Sequence, residues 1–331
     1  VNAPAAEIPL LRVEDLTVEF RTRDGIVHAL DGVSFAVHKG ETVGIVGESG
    51  SGKSVTALAV MGLLAAAGKV TRGTAVFGGL DLVSASPRQL DEYRGRELSM
   101  IFQNPRTALN PIRTVGDQLT DVLVRHANVF RADARGRAVE LLRRVQIPDP
   151  ERRVHAYPFE LSGGMCQRVM IALAIACSPA LLIADEPTTG IDVTTQAAIL
   201  DLLRELGGQS RMATILITHD LGVVAERCDR IVVMHGGHVV EAAGARDLFT
   251  GPRHPYTARL IASTPRPGAK LADLEPIPGG VPDLRRALPP CRYRARCERA
   301  LAVCDEKPLP RDPLGTAHAV ACHNPLPGRA A

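Results

Sequence analysis

The densest chemistry in the chain is Gly47-Glu48-Ser49-Gly50-Ser51-Gly52-Lys53-Ser54, which fits G-x-x-x-x-G-K-S between an apolar strand and a helix. Glycines at this spacing let backbone N–H groups converge on phosphate oxygens, and a helix opening near Lys53 adds the positive end of its dipole. Lys53 is placed to reach β- and γ-phosphates, and the Ser54 hydroxyl to ligate Mg²⁺. A glycine turn that merely happens to carry Lys-Ser is the plainer alternative, and the flanking strand and helix argue against it. Leu181-Leu182-Ile183-Ala184-Asp185-Glu186 is the acidic complement, a buried strand delivering two carboxylates at its C-terminal end. Asp185 suits Mg²⁺, usually through water, and Glu186 suits polarising a water for attack on the γ-phosphate. Alone, Asp-Glu after a strand is an ordinary solvated strand end; beside a phosphate loop it reads as catalytic.

The elements that must carry these groups are legible as patterns. Leu11 to Phe20 and Val33 to Val37 alternate like half-buried strands, and Thr42 to Val46 is a short apolar strand running into the glycines. Gly73 to Phe77 and Leu98 to Phe102 are further strands. From Asn104 to about Glu160 the period is helical, clearest at Ala138 to Val145. Ser162 to Cys177 is a helix with Ser162 as N-cap. Thr194 to Leu206 is another helix, Thr214 to Thr218 a buried strand, and Ile231 to Met234 with Val239 to Ala242 a hairpin about Gly236-Gly237. Strands alternating with helices imply a mainly parallel α/β sheet, with an antiparallel portion near each end. After about Gly251, prolines crowd the sequence and exclude a long helix or a central strand, so the domain boundary is placed there.

The 331 residues allow one large α/β domain and a smaller appendage. A net charge of +3, from 39 basic and 36 acidic residues interspersed along the chain, gives no footprint for nucleic acid. No segment reaches the roughly eighteen apolar residues of a membrane span. The longest apolar stretch, Ala57 to Ala67, reads as a buried helix after the phosphate loop. Val1 to Leu10 lacks a basic region followed by an apolar one, so the expectation is a cytosolic chain that reaches membranes through partners.

Of seven cysteines, Cys166, Cys177 and Cys228 read as isolated buried thiols, while Cys291, Cys297, Cys304 and Cys322 fall within the last 41 residues. Their spacing is neither C-x-x-C nor that of an ordinary zinc finger. Four thiolates can hold Zn²⁺ or a 4Fe–4S cluster with equal formal ease, and unliganded thiols remain a third reading. His318 and His323 are alternative ligands, and Arg292, Arg294, Arg296 and Arg299 are placed to surround the site with positive charge.

Leu161-Ser162-Gly163-Gly164-Met165, upstream of the Asp185-Glu186 strand, resembles the LSGGQ signature of ABC ATPases. Physically it is a second anion site, a Ser hydroxyl and two Gly N–H groups at a helix start. The resemblance implies a P-loop ABC cassette: a RecA-like core, an antiparallel β portion and a helical subdomain, here with a small Pro/Cys-rich C-terminal extension. It places the nucleotide-binding domain at 1–250, the helical subdomain at about 104–178 and the extension at 251–331. It makes ATP and Mg²⁺ the ligands and implies a head-to-tail dimer in which Ser162, Gly163 and Gly164 face the nucleotide held by the partner. Gln103 resembles the Q-loop glutamine that senses Mg²⁺ or the attacking water, Asp192 the D-loop aspartate, His219 the switch histidine, and Phe20 the aromatic that stacks on adenine. Met165 and Cys166, where Gln and a polar residue are commoner, and Gly190-Ile191 depart from the pattern near the implied dimer interface.

Ser162 to Ala172, Asp185 to Thr189, Asp192 to Gln196 and His254-Pro255-Tyr256-Thr257 together resemble the dipeptide/oligopeptide importer ATPases. That resemblance implies ATP hydrolysis driving two membrane permease subunits with a second ATPase, fed by an extracellular or periplasmic solute-binding protein, at the cytoplasmic face of the membrane. It also implies a 4Fe–4S cluster on the four tail cysteines, with zinc as the alternative. Nickel or another small solute is the alternative cargo. A non-transport ABC protein would be expected to join two cassettes or to insert a long coiled coil, and neither is present.

Overall fold

The computed structural model describes residues 8–265, 275–310 and 316–328, which group into two units: Val1–Ala85 with Leu216–Ala331, and Ser86–Ile215. The first unit opens with β1 (Leu11–Thr22), β2 (Gly25–Val37), β3 (Thr42–Val46), α1 (Lys53–Val60), β4 (Gly68–Phe77) and β5 (Leu80–Asp81). The order β2-β1-β4-β5 makes an antiparallel sheet whose buried face includes Leu11, Val13, Leu16 and Val18. The register of β1 shifts around Asp15, a bulge that lets Leu16 return to the buried side.

The second unit contains α2 (Pro87–Tyr93), β6 (Leu98–Ile101), α3 (Pro105–Ala108), α4 (Val115–His126), α5 (Arg131–Arg144), α6 (Pro150–Arg153), α7 (Gly163–Ile175), β7 (Leu181–Asp185), α8 (Val193–Ser210) and the start of β8 (Ala213–Ile217). Strands β6 and β7 pair in parallel, Ile101 opposite Ala184, and every residue of β7 is buried, as an unbroken apolar run demands. Thr114 caps α4 through the N–H of Asp117, and α4, α5 and α7 pack together by burying Leu119, Leu142 and Val169.

The chain returns to the first unit through α9 (Leu221–Arg227), β9 (Arg230–His235), β10 (His238–Gly244), α10 (Ala245–Thr250), α11 (Pro255–Ala262), α12 (Val303–Glu306) and β11 (His318–Val320). There β11, β10 and β9 run antiparallel and β9 pairs in parallel with β3. Parallel pairs flanked by antiparallel ones are the expected arrangement.

Several boundaries differ from expectation. β2 begins at Gly25 and β4 at Gly68, because pairing with β1 carries both beyond their alternating stretches. α1 ends at Val60 although apolar residues continue to Ala67: Gly62, at φ 62°, turns the chain, with Leu63 N–H on Leu58 O, which closes a Schellman-type end. The Pro-rich tail is woven into the first unit, where its β11 adds an edge strand beside β10.

Candidate active site

Strand β3 launches the phosphate loop. Gly47 sits at φ 152°, and a Cβ there would overlap the Met234 carbonyl oxygen, so only glycine permits this exit from the strand. The buried Lys53 folds back over the loop, its Nζ donating to Gly47 O at 2.8 Å and Glu48 O at 3.0 Å. Ser51 is fully buried and its Oγ has no protein partner, which costs free energy unless something else supplies one. Helix α1 has no side-chain cap and no acidic residue in its first turn, so its positive dipole end is uncompensated by side-chain charge and suits an anion. An orphan hydroxyl, an uncapped helix start and a folded-back ammonium fit a polyphosphate.

Glu48 departs from that pattern. Its backbone N–H donates to Tyr256 Oη at 2.9 Å, and its carboxylate takes two parallel bonds of 2.8 Å from Arg296. His235 Nδ1 stands 3.7 Å away, too far for a hydrogen bond, and acts through space. Burial opposes the charge, yet His235 and Arg296 hold the carboxyl down at about 2. His219 is exposed in the loop after β8, next to Asp220, which caps α9 through the N–H groups of Gly222 and Val223. Phe20 packs on Gly68, where a Cβ would come within 2.6 Å of the ring.

The second unit holds the carboxylates. Asp185 ends β7 buried, and Glu186 follows at φ 46°, a left-handed backbone uncommon outside glycine. Gln103 Nε2 and Thr189 Oγ1 each donate to Glu186 Oε2 at 2.8 Å. Parallel pairing of β6 and β7 brings Gln103 and Glu186 together across 83 residues of sequence. Thr189, in the Asp-Glu-Pro-Thr-Thr run, joins the expected site residues; its signal in the sequence is a hydroxyl three residues after the carboxylate.

Ser162 caps α7 by accepting the Met165 N–H at 3.3 Å. The position of Gly163 has open space around it, whereas a Cβ at Gly164 would come within 2.9 Å of Thr195 Cγ2. Asp192 caps α8 through the N–H and hydroxyl of Thr195, at 3.0 and 2.7 Å. Cys166 is fully buried with its thiol on Pro158 O at 3.3 Å, so its side chain packs inside its own unit.

The four tail thiols lie close enough for each of Cys291, Cys297 and Cys322 to feel the charge of others in the set. Burial is the main influence and pushes Cys291 up to about 12. Among the described residues, no three His, Cys, Asp or Glu side chains are grouped so as to hold a metal ion. The histidines are engaged elsewhere: His318 Nε2 with Glu241 Oε1 at 2.6 Å, and His323 Nε2 with Lys307 O at 3.3 Å. The arginines do not form the expected ring around the thiols: Arg292, Arg294 and Arg296 pair with Asp31, Asp305 and Glu48, while Arg299 lowers Cys297 and Cys322 through its charge. Of the free thiols outside the tail, Cys166 and Cys228 are buried as expected and Cys177 is only half-buried.

The geometry is that of a P-loop ATPase with an ABC-type signature helix. Residues 30–189 match the family model for the ABC transporter, and residues 240–304 that for the oligopeptide/dipeptide transporter C-terminal region. A probable peptide ABC transporter ATP-binding protein of Sinorhizobium fredii, y4tR, is 49% identical over 96% of each chain. The oligopeptide transport ATP-binding protein OppD of Salmonella typhimurium is 46% identical over 98% of this chain and 96% of that one. The dimeric post-hydrolysis state of the ATP-binding cassette MJ0796 with ADP and Pi superposes with a TM-score of 0.64 at 28% identity, covering 71% of this chain and 99% of that one. The chain is therefore an ABC ATPase, and it belongs to the oligopeptide/dipeptide ABC transporter ATP-binding family.

Proposed function

We propose that this chain is the ATP-hydrolysing subunit of an importer of di- or oligopeptides. It works at the cytoplasmic face of the membrane with two permease subunits, a second ABC ATPase and an extracellular or periplasmic solute-binding protein. The observation that carries the reading is the match of residues 240–304 to the peptide-transporter C-terminal region, in a chain whose relatives of 46–49% identity are named for peptide transport. Among the described residues no helix is long and apolar enough to cross a membrane, so attachment falls to protein surfaces. The second unit exposes Phe102, Ile112, Phe130 and the stacked pair Tyr157 and Phe159, which suit docking to permeases.

The loop from Gly47 to Ser54 binds ATP phosphates through backbone N–H groups other than those of Glu48 and Ser51, which the protein itself engages, with Glu48 and Ser49 shaping the turn and Lys53 supplying charge; Phe20 stacks on adenine. Ser54, Asp185 and Gln103 hold Mg²⁺, which neutralises phosphate charge when bound. Glu186, held by Gln103 and Thr189, takes the proton from the attacking water, and His219 senses the γ-phosphate. Ser162, Gly163, Gly164 and Asp192 serve the nucleotide of the second ATPase. The proposed division is a cassette at 1–250, with a helical part at about 104–178, and an extension at 251–331; a separate family match over 240–304 supports a distinct C-terminal part. Cys291, Cys297, Cys304 and Cys322 hold a 4Fe–4S cluster as a staple. Four soft thiols concentrated in one Pro-rich segment support that reading, with zinc as the alternative. Affinity purification of the tagged chain from solubilised native membranes should bring down two permeases and a second ATPase. Recovery of the chain alone, or with ribosomal or DNA-repair proteins, would overturn the reading.

A further inference from the structure

Two arginines of one short tail segment bear on the phosphate loop, one directly and one through a neighbouring turn. Arg296 is buried to 6% side-chain exposure and meets Glu48 with both terminal nitrogens, while its Nε donates to Pro278 O at 2.7 Å. Arg292 contacts Asp31 Oδ2 at 3.0 Å, His28 O at 3.2 Å and the Gly236 carbonyl. The neighbouring Gly237 N–H donates to Ser51 O at 2.9 Å, and Gly237 O accepts from Asp31 N–H at 3.0 Å. Arg296 thus holds the second residue of the loop directly, and Arg292 braces the fifth through the Gly236-Gly237 turn. The fully buried Tyr256 takes the Glu48 N–H and packs its ring 5.3 Å from Tyr293, over which the Arg296 guanidinium lies at 5.7 Å.

A carboxylate in the second position of a phosphate-binding loop is a conflict, because a polyphosphate repels it. An unpaired Glu48 would raise the free energy of the bound state or swing the loop away. A bidentate guanidinium cancels the charge and fixes the direction of the carboxylate, which a single ammonium does less well.

We propose that Arg296 is a positioning residue for the nucleotide. From the C-terminal extension it neutralises and orients Glu48, and with Tyr256 it holds the phosphate loop in its ATP-accepting shape. The proposal rests on the reading that Gly47 to Ser54 binds ATP phosphates. The extension is then part of the nucleotide site and not only an appendage, and its folding is a condition for tight ATP binding.

The test is a double-mutant cycle on the full-length chain, reading the Kd for MgATP by calorimetry beside a thermal melt. Arg296→Met should raise Kd about tenfold, a cost of about 1.4 kcal/mol, and Arg296→Lys should raise it less. Glu48→Gln introduced into Arg296→Met should recover most of the loss, because the repelling charge is gone. Should Arg296→Met fold poorly, Arg296→Lys with and without Glu48→Gln carries the same cycle. Lys53→Ala is the control for the underlying reading. If it binds ATP normally, the loop is not the phosphate site. If it loses ATP while the Arg296 variants stay within twofold of wild type, or Glu48→Gln gives no recovery, the positioning role is wrong and the loop reading stands.

Discussion

Replacing Glu186 with Gln separates the chemistry of the site from its architecture. Glu186 Oε2 accepts from Gln103 and Thr189 at 2.8 Å each, and the Gln amide oxygen can accept the same two bonds. The left-handed backbone at φ 46° is no harder for Gln than for Glu, so folding stability should shift by less than about 1 kcal/mol. What is lost is the base. General-base catalysis contributes roughly 10²- to 10⁴-fold, or about 3–5 kcal/mol of barrier at 1.36 kcal/mol per tenfold. Steady-state hydrolysis by the assembled transporter should fall by that factor, while MgATP binding and the melting temperature stay near wild type and a closed ATPase dimer accumulates. Turnover at the wild-type rate would remove Glu186 from the chemistry. Lost ATP binding or a large fall in melting temperature would show that the carboxylate holds the fold.

Three further outcomes are expected. Burial and the neighbouring His235 push the His254 ring down to about 3. The unfolded chain therefore takes up the proton first, so this group's stability is fully present above about pH 6.5 and lost as pH falls toward 3. Denaturant melts should show wild type losing about 2 kcal/mol more between pH 7 and pH 5 than His254→Asn, which retains an N-cap acceptor for Tyr256 N–H; equal losses would refute it. The Tyr293 ring lies 6.0 Å from that ring, and Glu241 accepts the backbone N–H of position 254, a bond the variant keeps. Anaerobically purified protein should be brown with about four irons per chain, bleached by Ser at any of Cys291, Cys297, Cys304 or Cys322; colourless protein with one zinc would replace the cluster. Serines at Tyr157 and Phe159 should leave melting within about 0.5 kcal/mol of wild type yet reduce co-purification with permeases, and undiminished recovery would clear that surface of a docking role.

The nucleotide chemistry was legible because its signals are local. Glycine spacing, a strand and a helix start specify the loop around Lys53, and β3 and the Ser162 cap lie where the pattern puts them. Strand pairing was less legible: β2 extends back to Gly25 because β1 offers partners there, not because residues 25–32 alternate. The apolar run after α1 misled, since Gly62 stops the helix whatever the hydropathy beyond it. Least legible was the tail. Arg292 and Arg296 read as charge around the thiols, but they pair with Asp31 and Glu48, 261 and 248 residues away. No spacing rule relates residues so distant. The clue available was a glutamate inside a phosphate loop, which demands a cation from somewhere.

The central claim is that ATP hydrolysis by this chain drives peptide import. Its most direct test is uptake of a radiolabelled oligopeptide in proteoliposomes carrying the complete complex with its binding protein, with MgATP on the face that holds this chain. Peptide should accumulate against its gradient with MgATP, and accumulation should vanish with ADP or with Glu186→Gln in this chain. Hydrolysis that proceeds while no peptide enters, or uptake of nickel in its place, would contradict it.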